Sequence, residues 1–103
     1  MSSAEGQASA RRALRAVFLL QGHTLEGLRL KQLAESMQTS PSTALRTLEL
    51  LADEGIAERI PGRDEFWRLT PRIVQLARAH ALELDRHRSV LSEFEQRYSR
   101  DPN

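Results

Sequence analysis

Cysteine is absent from the 103 residues. That excludes disulfides, thiolate metal sites and a thiol nucleophile, and it fits a reducing cytoplasm, the expected location. Long hydrophobic runs are missing too. No stretch approaches a membrane span, and the opening MSSAEGQASARRA lacks the apolar segment of a signal peptide, so no membrane association is expected. No His, Asp or Glu grouping has catalytic spacing and no glycine-rich phosphate loop occurs, so the chain is not expected to be an enzyme or to need a cofactor or metal. Repeats and low-complexity tracts are lacking. Excess charge of one sign is also missing: 15 basic against 14 acidic residues leave +1. A strongly basic balance would by itself point to phosphate binding; here any such attraction must come from local placement.

The chain does carry an ordered series of local signals between Leu30 and Leu69. LKQLAESM puts Leu30, Leu33, Ala34 and Met37 on one helical face. Gln38 and Thr39 make a short polar turn. Ser40 stands where an N-cap is wanted and Pro41 where a missing N–H costs nothing. The second helix turns Ala44, Leu48 and Leu51 inward and ends near Glu54, with Gly55 suited to the left-handed conformation of a helix C-terminus. Residues 56–60 and 65–69 suit strands, and Pro61, Gly62, Arg63 and Asp64 supply turn chemistry between them. The expected fold is mainly α with a small β-hairpin wing: a winged helix-turn-helix with a long C-terminal helix.

The flanks complete the expected organisation. Residues 1–8 are small and polar and read as a disordered tail. A first helix is expected from about Ser9 to Gln21, with Leu14, Val17 and Phe18 on its buried side. Leu25 and Leu28 read as apolar points of a loop, with a short strand near Leu28. The winged helix spans 9–70, a long helix 71–99 and a tail 100–103. Thr70-Pro71 repeats the cap-plus-proline signal that opens the long helix.

Along that helix Ile73, Ala77, His80, Leu84, His87, Leu91, Phe94 and Tyr98 alternate steps of four and three, the spacing of a coiled-coil seam. Its early part has Val74, Leu76 and Ala81 beside the seam and is expected to pack on the winged helix. Its later part is left needing a partner, and a second copy of the chain is the simplest one. Leu84, His87, Val90, Leu91, Phe94 and Tyr98 are the expected dimerisation residues. The two histidines admit a structural role, a zinc site shared across a dimer, or a pH effect in which dimerisation weakens as pH falls through about 6.5. One chain alone cannot chelate an ion with histidines two turns apart.

AESMQTSPSTALRTLELLADEGIAERIPGRDEFWRL resembles the N-terminal DNA-binding domain of IclR-type transcription regulators. The resemblance is carried by Leu33-Ala34-Glu35, by Ser42-Thr43-x-x-Arg46-x-Leu48, by Leu51 and Gly55, and by Trp67-x-Leu69 leading out of the wing. It covers about Arg12 to Leu69. MarR-type regulators share the SPST start, the EGIAER strand and the LTP opening of the next helix, and they dimerise through terminal helices. The resemblance implies a sequence-specific DNA-binding transcription regulator of bacterial or phage type, with double-stranded DNA as partner. It also puts an aromatic, Trp67, inside the domain. Three departures stand out: the chain holds one helix where IclR-type regulators carry a larger effector domain, Gln38 sits where glycine is frequent, and Leu45 occupies a position usually polar, either meeting a thymine methyl or buried by the wing.

A recognition helix over Ser40–Glu54 in the major groove would present Ser42, Thr43, Arg46 and Thr47 outward. Arg46 can pair bidentately with guanine or contact phosphate. Ser40, Ser42 and Thr43 can donate to phosphate. Arg63, at the tip of the wing Pro61–Asp64, is expected on the minor groove, with Arg59 and Arg68 nearby. Arg11, Arg12 and Arg15 form a second cluster, which reads either as a solvated face or as a binding one. The rival class is a winged helix used as a protein-protein interaction adaptor or subunit, which near-neutral charge and Leu45 favour.

Overall fold

The computed structural model describes residues 3–100. The elements run α1 (Ser3–Leu20), β1 (Leu28–Arg29), α2 (Leu30–Ser36), α3 (Pro41–Asp53), β2 (Ala57–Ile60), β3 (Arg63–Leu69) and α4 (Pro71–Ser99). The three strands make one antiparallel sheet in the order β1-β3-β2. This is the expected winged helix-turn-helix with a long last helix, and the short strand at Leu28 is present.

α1 starts at Ser3, six residues before the expected start, so residues 3–8 are helical rather than a tail. Residues 1 and 2 of that tail, like residues 101–103 of the C-terminal one, lie outside the described part. The early start has a compositional cause: Ala4, Ala8 and Ala10 join Ala13 and Ala16 in a segment rich in the best helix former. The buried face of α1 also differs from the expected one. Ala16 and Leu20 are fully buried, with Ala13, Val17 and Leu19 packed beside them. Leu14 and Phe18 are 62% and 71% exposed. Alanines let α1 approach α3 closely, and the larger residues are left outside.

Both motif helices end in the same device. After α3, Gly55 N–H bonds to the Ala52 carbonyl at 2.9 Å and Ile56 N–H to the Leu51 carbonyl at 2.8 Å. After α2, Gln38 N–H bonds to the Glu35 carbonyl at 3.1 Å and Thr39 N–H to the Ala34 carbonyl at 3.0 Å. These are Schellman ends, which need a left-handed residue. Gly55 takes φ 76° there, as its position predicts; Gln38 takes φ 56° without glycine's freedom.

The core is built from Ala16, Leu20, Leu33, Ala34, Met37, Ala44, Leu48, Leu51, Ala57 and Trp67. Trp67, 2% exposed, is the inward aromatic that fixes the sheet against the helices. Leu45 is partly buried against this core. Gly27, just before β1, is required for close packing. A Cβ there would stand 2.5 Å from Ile60 Cδ1 and 2.9 Å from the Trp67 carbonyl oxygen.

Two compact units divide at Ile73/Val74. The first holds everything described so far and the start of α4. Thr70 closes it: its N–H bonds to the Ile56 carbonyl at 2.9 Å and its hydroxyl accepts from Arg72 N–H at 3.2 Å, capping α4 ahead of Pro71. The second unit is the rest of α4. The whole helix, 29 residues long, measures about 44 Å at 1.5 Å per residue. It has no buried residue, and Val74 and Leu76 of its first turns are exposed.

Candidate nucleic-acid interface

The start of α3 is a capped and partly saturated helix end. Ser40 Oγ accepts from Thr43 N–H at 3.2 Å and lies 3.1 Å from Thr43 Oγ1, to which it donates. The Ser40 carbonyl accepts from Ala44 N–H at 3.0 Å. Pro41 has no N–H to offer. Among the described residues this leaves the Ser42 N–H as the first-turn donor without an acceptor, at the positive end of the helix dipole. Ser40, Ser42 and Arg46 are exposed and Thr43 is half-buried, so these expected residues share one accessible surface.

Thr47 does not. It is 8% exposed, and its hydroxyl donates to the Thr43 carbonyl one turn back at 3.0 Å. A threonine hydroxyl that bonds to its own helix needs no solvent, so polarity at this position is no sign of an outward face. The expectation that Thr47 faces outward is corrected: it belongs to the inward side with Ala44, Leu48 and Leu51.

The wing turns through Pro61 and Gly62 alone, because Arg63 and Asp64 already lie in β3. A bulge between Arg59 and Ile60 adjusts the register, which pairs Glu58 with Arg68 and Arg59 with Trp67. The three wing arginines meet different fates. Arg68 Nε lies 2.9 Å from Glu58 Oε2, so its charge is matched across the two strands of the wing. Arg59 covers the Trp67 ring at 4.9 Å and donates to the Asp64 carbonyl at 3.3 Å. Arg63 stacks on Phe66 at 3.8 Å and donates to the Glu26 carbonyl at 3.1 Å. Carbonyls are neutral, so Arg59 and Arg63 keep their charge and are both exposed. Phe66, on the face opposite Trp67, also receives Arg29 at 5.1 Å, and Arg29 reaches Glu65 at 3.7 Å.

Along α4, Leu84, Val90, Leu91, Phe94 and Tyr98 are all exposed. The Phe94 and Tyr98 rings lie 4.5 Å apart, and His87 Nε2 is 4.0 Å from Glu83 Oε1. No group of three or more His, Cys, Asp or Glu side chains suited to a metal ion occurs among the described residues. No helix among them is long and apolar enough to cross a membrane.

The fold can now be set beside solved structures. A MarR family transcriptional regulator from Silicibacter pomeroyi is 29% identical, with a TM-score of 0.57 over 98% of this chain and 69% of that one. A point mutant of S. aureus MepR bound to an oligodeoxyribonucleotide is 20% identical, with a TM-score of 0.54 over 85% of this chain and 71% of that one. A point mutant of Lactococcus lactis ZitR, also 20% identical, gives 0.51 over 84% of this chain, which spans 60% of the ZitR chain. No protein-family model and no curated protein sequence matches the chain. The likenesses establish the winged-helix fold and carry the MarR-type resemblance rather than the IclR-type one.

Proposed function

We propose that the chain is a cytoplasmic, sequence-specific DNA-binding transcription regulator of MarR type that acts as a dimer. One observation carries the reading: Ser42 N–H, the Ser40–Thr43 hydroxyl pair and Arg46 share the accessible start of α3, in a helix-turn-helix flanked by an arginine-bearing wing. α3 enters the major groove, Arg46 meets a base edge or a phosphate, Ser42 and Thr43 donate to the backbone, and the Ser40 hydroxyl joins them when it turns from Thr43 to a phosphate. Arg63, held on Phe66, reaches the minor groove with Arg59 behind it. The MepR relative is bound to DNA, which supports the assignment. The exposed seam of α4, from Leu84 through His87, Val90, Leu91 and Phe94 to Tyr98, pairs with that of a second copy, and two α3 helices then read half-sites about one helical turn apart.

A protein-contact role is the second reading. It is favoured by the wing itself, where Arg59, Arg63 and Arg68 face as many acids in Glu58, Asp64 and Glu65, and by the exposed Leu14–Phe18 pair on α1. Anisotropy of a labelled duplex separates the two. Wild-type binding lost in Arg46→Ala and weakened in Arg63→Ala supports the regulator. Equal behaviour of all three proteins contradicts it.

A further inference from the structure

The net charge of +1 conceals a segregation. From Gly6 to Leu20 the chain has Arg11, Arg12 and Arg15 and no carboxylate; from Ser36 to Leu48 it has Arg46 and again none. The fold brings these acid-free segments together. Arg11, Arg12 and Arg15 line a cavity of about 250 Å³ whose other wall is the α2–α3 turn at Met37, Gln38 and Thr39. Arg12 also lines an adjoining cavity of about 270 Å³ with Ser9, Thr43 and Arg46. The Arg12 side chain thus stands between the turn and the start of α3.

The electrostatics there differ from those of the paired arginines of the chain. Arg29, Arg68 and Arg88 each lie within 4.0 Å of a carboxylate, and among the described residues Arg11, Arg12 and Arg15 do not. Arg12 bonds only to the Ser9 hydroxyl, at 3.2 Å, and its Nε is shielded from solvent with no acceptor. Guanidinium groups spend such donors on oxyanions, and they match phosphate bidentately. Beside them lies the dipole-positive start of α3 with its unused Ser42 N–H.

We propose that Arg11, Arg12 and Arg15, with the Gln38–Thr39 turn, form a cradle for a phosphodiester of duplex DNA, clamping the strand beside the groove that α3 reads. The cradle rests on the DNA-binding reading above and adds a third contact to α3 and the wing. It supplies affinity without sequence information, because phosphate is common to every site. It also places three positive charges without a carboxylate partner beside the recognition helix, in addition to Arg59 and Arg63 of the wing.

The test compares the wild-type chain with Arg11→Gln/Arg15→Gln, both exposed positions whose loss leaves the core intact, in duplex titrations at rising salt. Thermal melts of both proteins check the fold, and Arg12→Gln is the second variant. The slope of log affinity against log salt is expected to fall by about 0.9 for each phosphate contact removed. The loss applies equally to a preferred and a scrambled duplex. A variant with the wild-type slope and affinity overturns the cradle and leaves the DNA reading standing. A wild-type chain that binds no duplex at low salt overturns both. Inorganic phosphate, titrated while the Gln38 and Thr39 amide resonances are followed, identifies the other source of the same chemistry. Saturable phosphate binding, with DNA binding indifferent to the variant, assigns the cavity to a small phosphorylated ligand and overturns the cradle.

Discussion

The guanidinium carbon of Arg63 lies over the Phe66 ring, 3.8 Å from its centroid, while one of its amino groups donates to the Glu26 carbonyl. The ring fixes a long side chain that would otherwise sample many rotamers, and the carbonyl leaves its charge unmatched. Such a contact is worth about 0.5–1 kcal/mol at an exposed site. Phe66→Ala is therefore expected to weaken duplex binding severalfold in anisotropy while leaving Arg63 in place. Addition of Arg63→Ala to that variant should cost less than Arg63→Ala alone; strict additivity would show that the stack does not position the arginine.

Thr47 gives a sharper test of the buried face of α3. Its hydroxyl bonds to the Thr43 carbonyl and its side chain is 8% exposed. Thr47→Val exchanges that local bond for a methyl group of similar size. Duplex affinity and base preference should be unchanged, with thermal stability altered by about 1 kcal/mol or less. A change in base preference would return Thr47 to the groove.

Gln38 holds φ 56° in a Schellman end where Gly55 holds φ 76° in the other. A side chain there costs about 1–2 kcal/mol against glycine, and glycine's greater freedom in the unfolded chain returns about 0.4–1 kcal/mol of that. Gln38→Gly should raise stability by the difference, about 0.5–1 kcal/mol by denaturant titration. A less stable variant would mean that Gln38 earns its place by contacts its backbone does not reveal.

The α4 seam makes the dimer testable apart from the winged helix. Leu91→Glu and Phe94→Glu place charge in the stripe that two copies would share, and neither residue belongs to the core of the first unit. Sedimentation should show wild-type dimer and variant monomer, with the same circular dichroism in the winged-helix unit's melting transition. A variant as dimeric as the wild type would move the interface off the seam.

What could be read from sequence was whatever a single residue dictates to its own backbone. Ser40-Pro41, Thr70-Pro71 and Gly55 mark their helix ends because capping and left-handed geometry are local. Trp67 went inside as expected. Sequence and structure part where a neighbouring element decides. α1 buries Ala16 and Leu20, with Ala13 partly buried beside them, rather than Leu14 and Phe18, because the face that meets the other helices is not marked by one helix's own periodicity. Thr47 lies at the border of the inward stripe of Ala44, Leu48 and Leu51, where packing against the rest of the fold rather than helical phase decides burial. Arg68 could not be paired with Glu58 in advance, since the bulge at Arg59/Ile60 sets the register that joins them. The arginine cluster of α1 was visible, but its position against the Gln38–Thr39 turn required the fold.

The central claim is that α3 reads sequence, and selection of duplexes from a random pool at low salt by the purified chain tests it most directly. The account predicts an enriched two-fold-symmetric site, half-sites about one helical turn apart, with enrichment lost in Arg46→Ala. Recovery of an unbiased pool, or enrichment that Arg46→Ala leaves untouched, would contradict it.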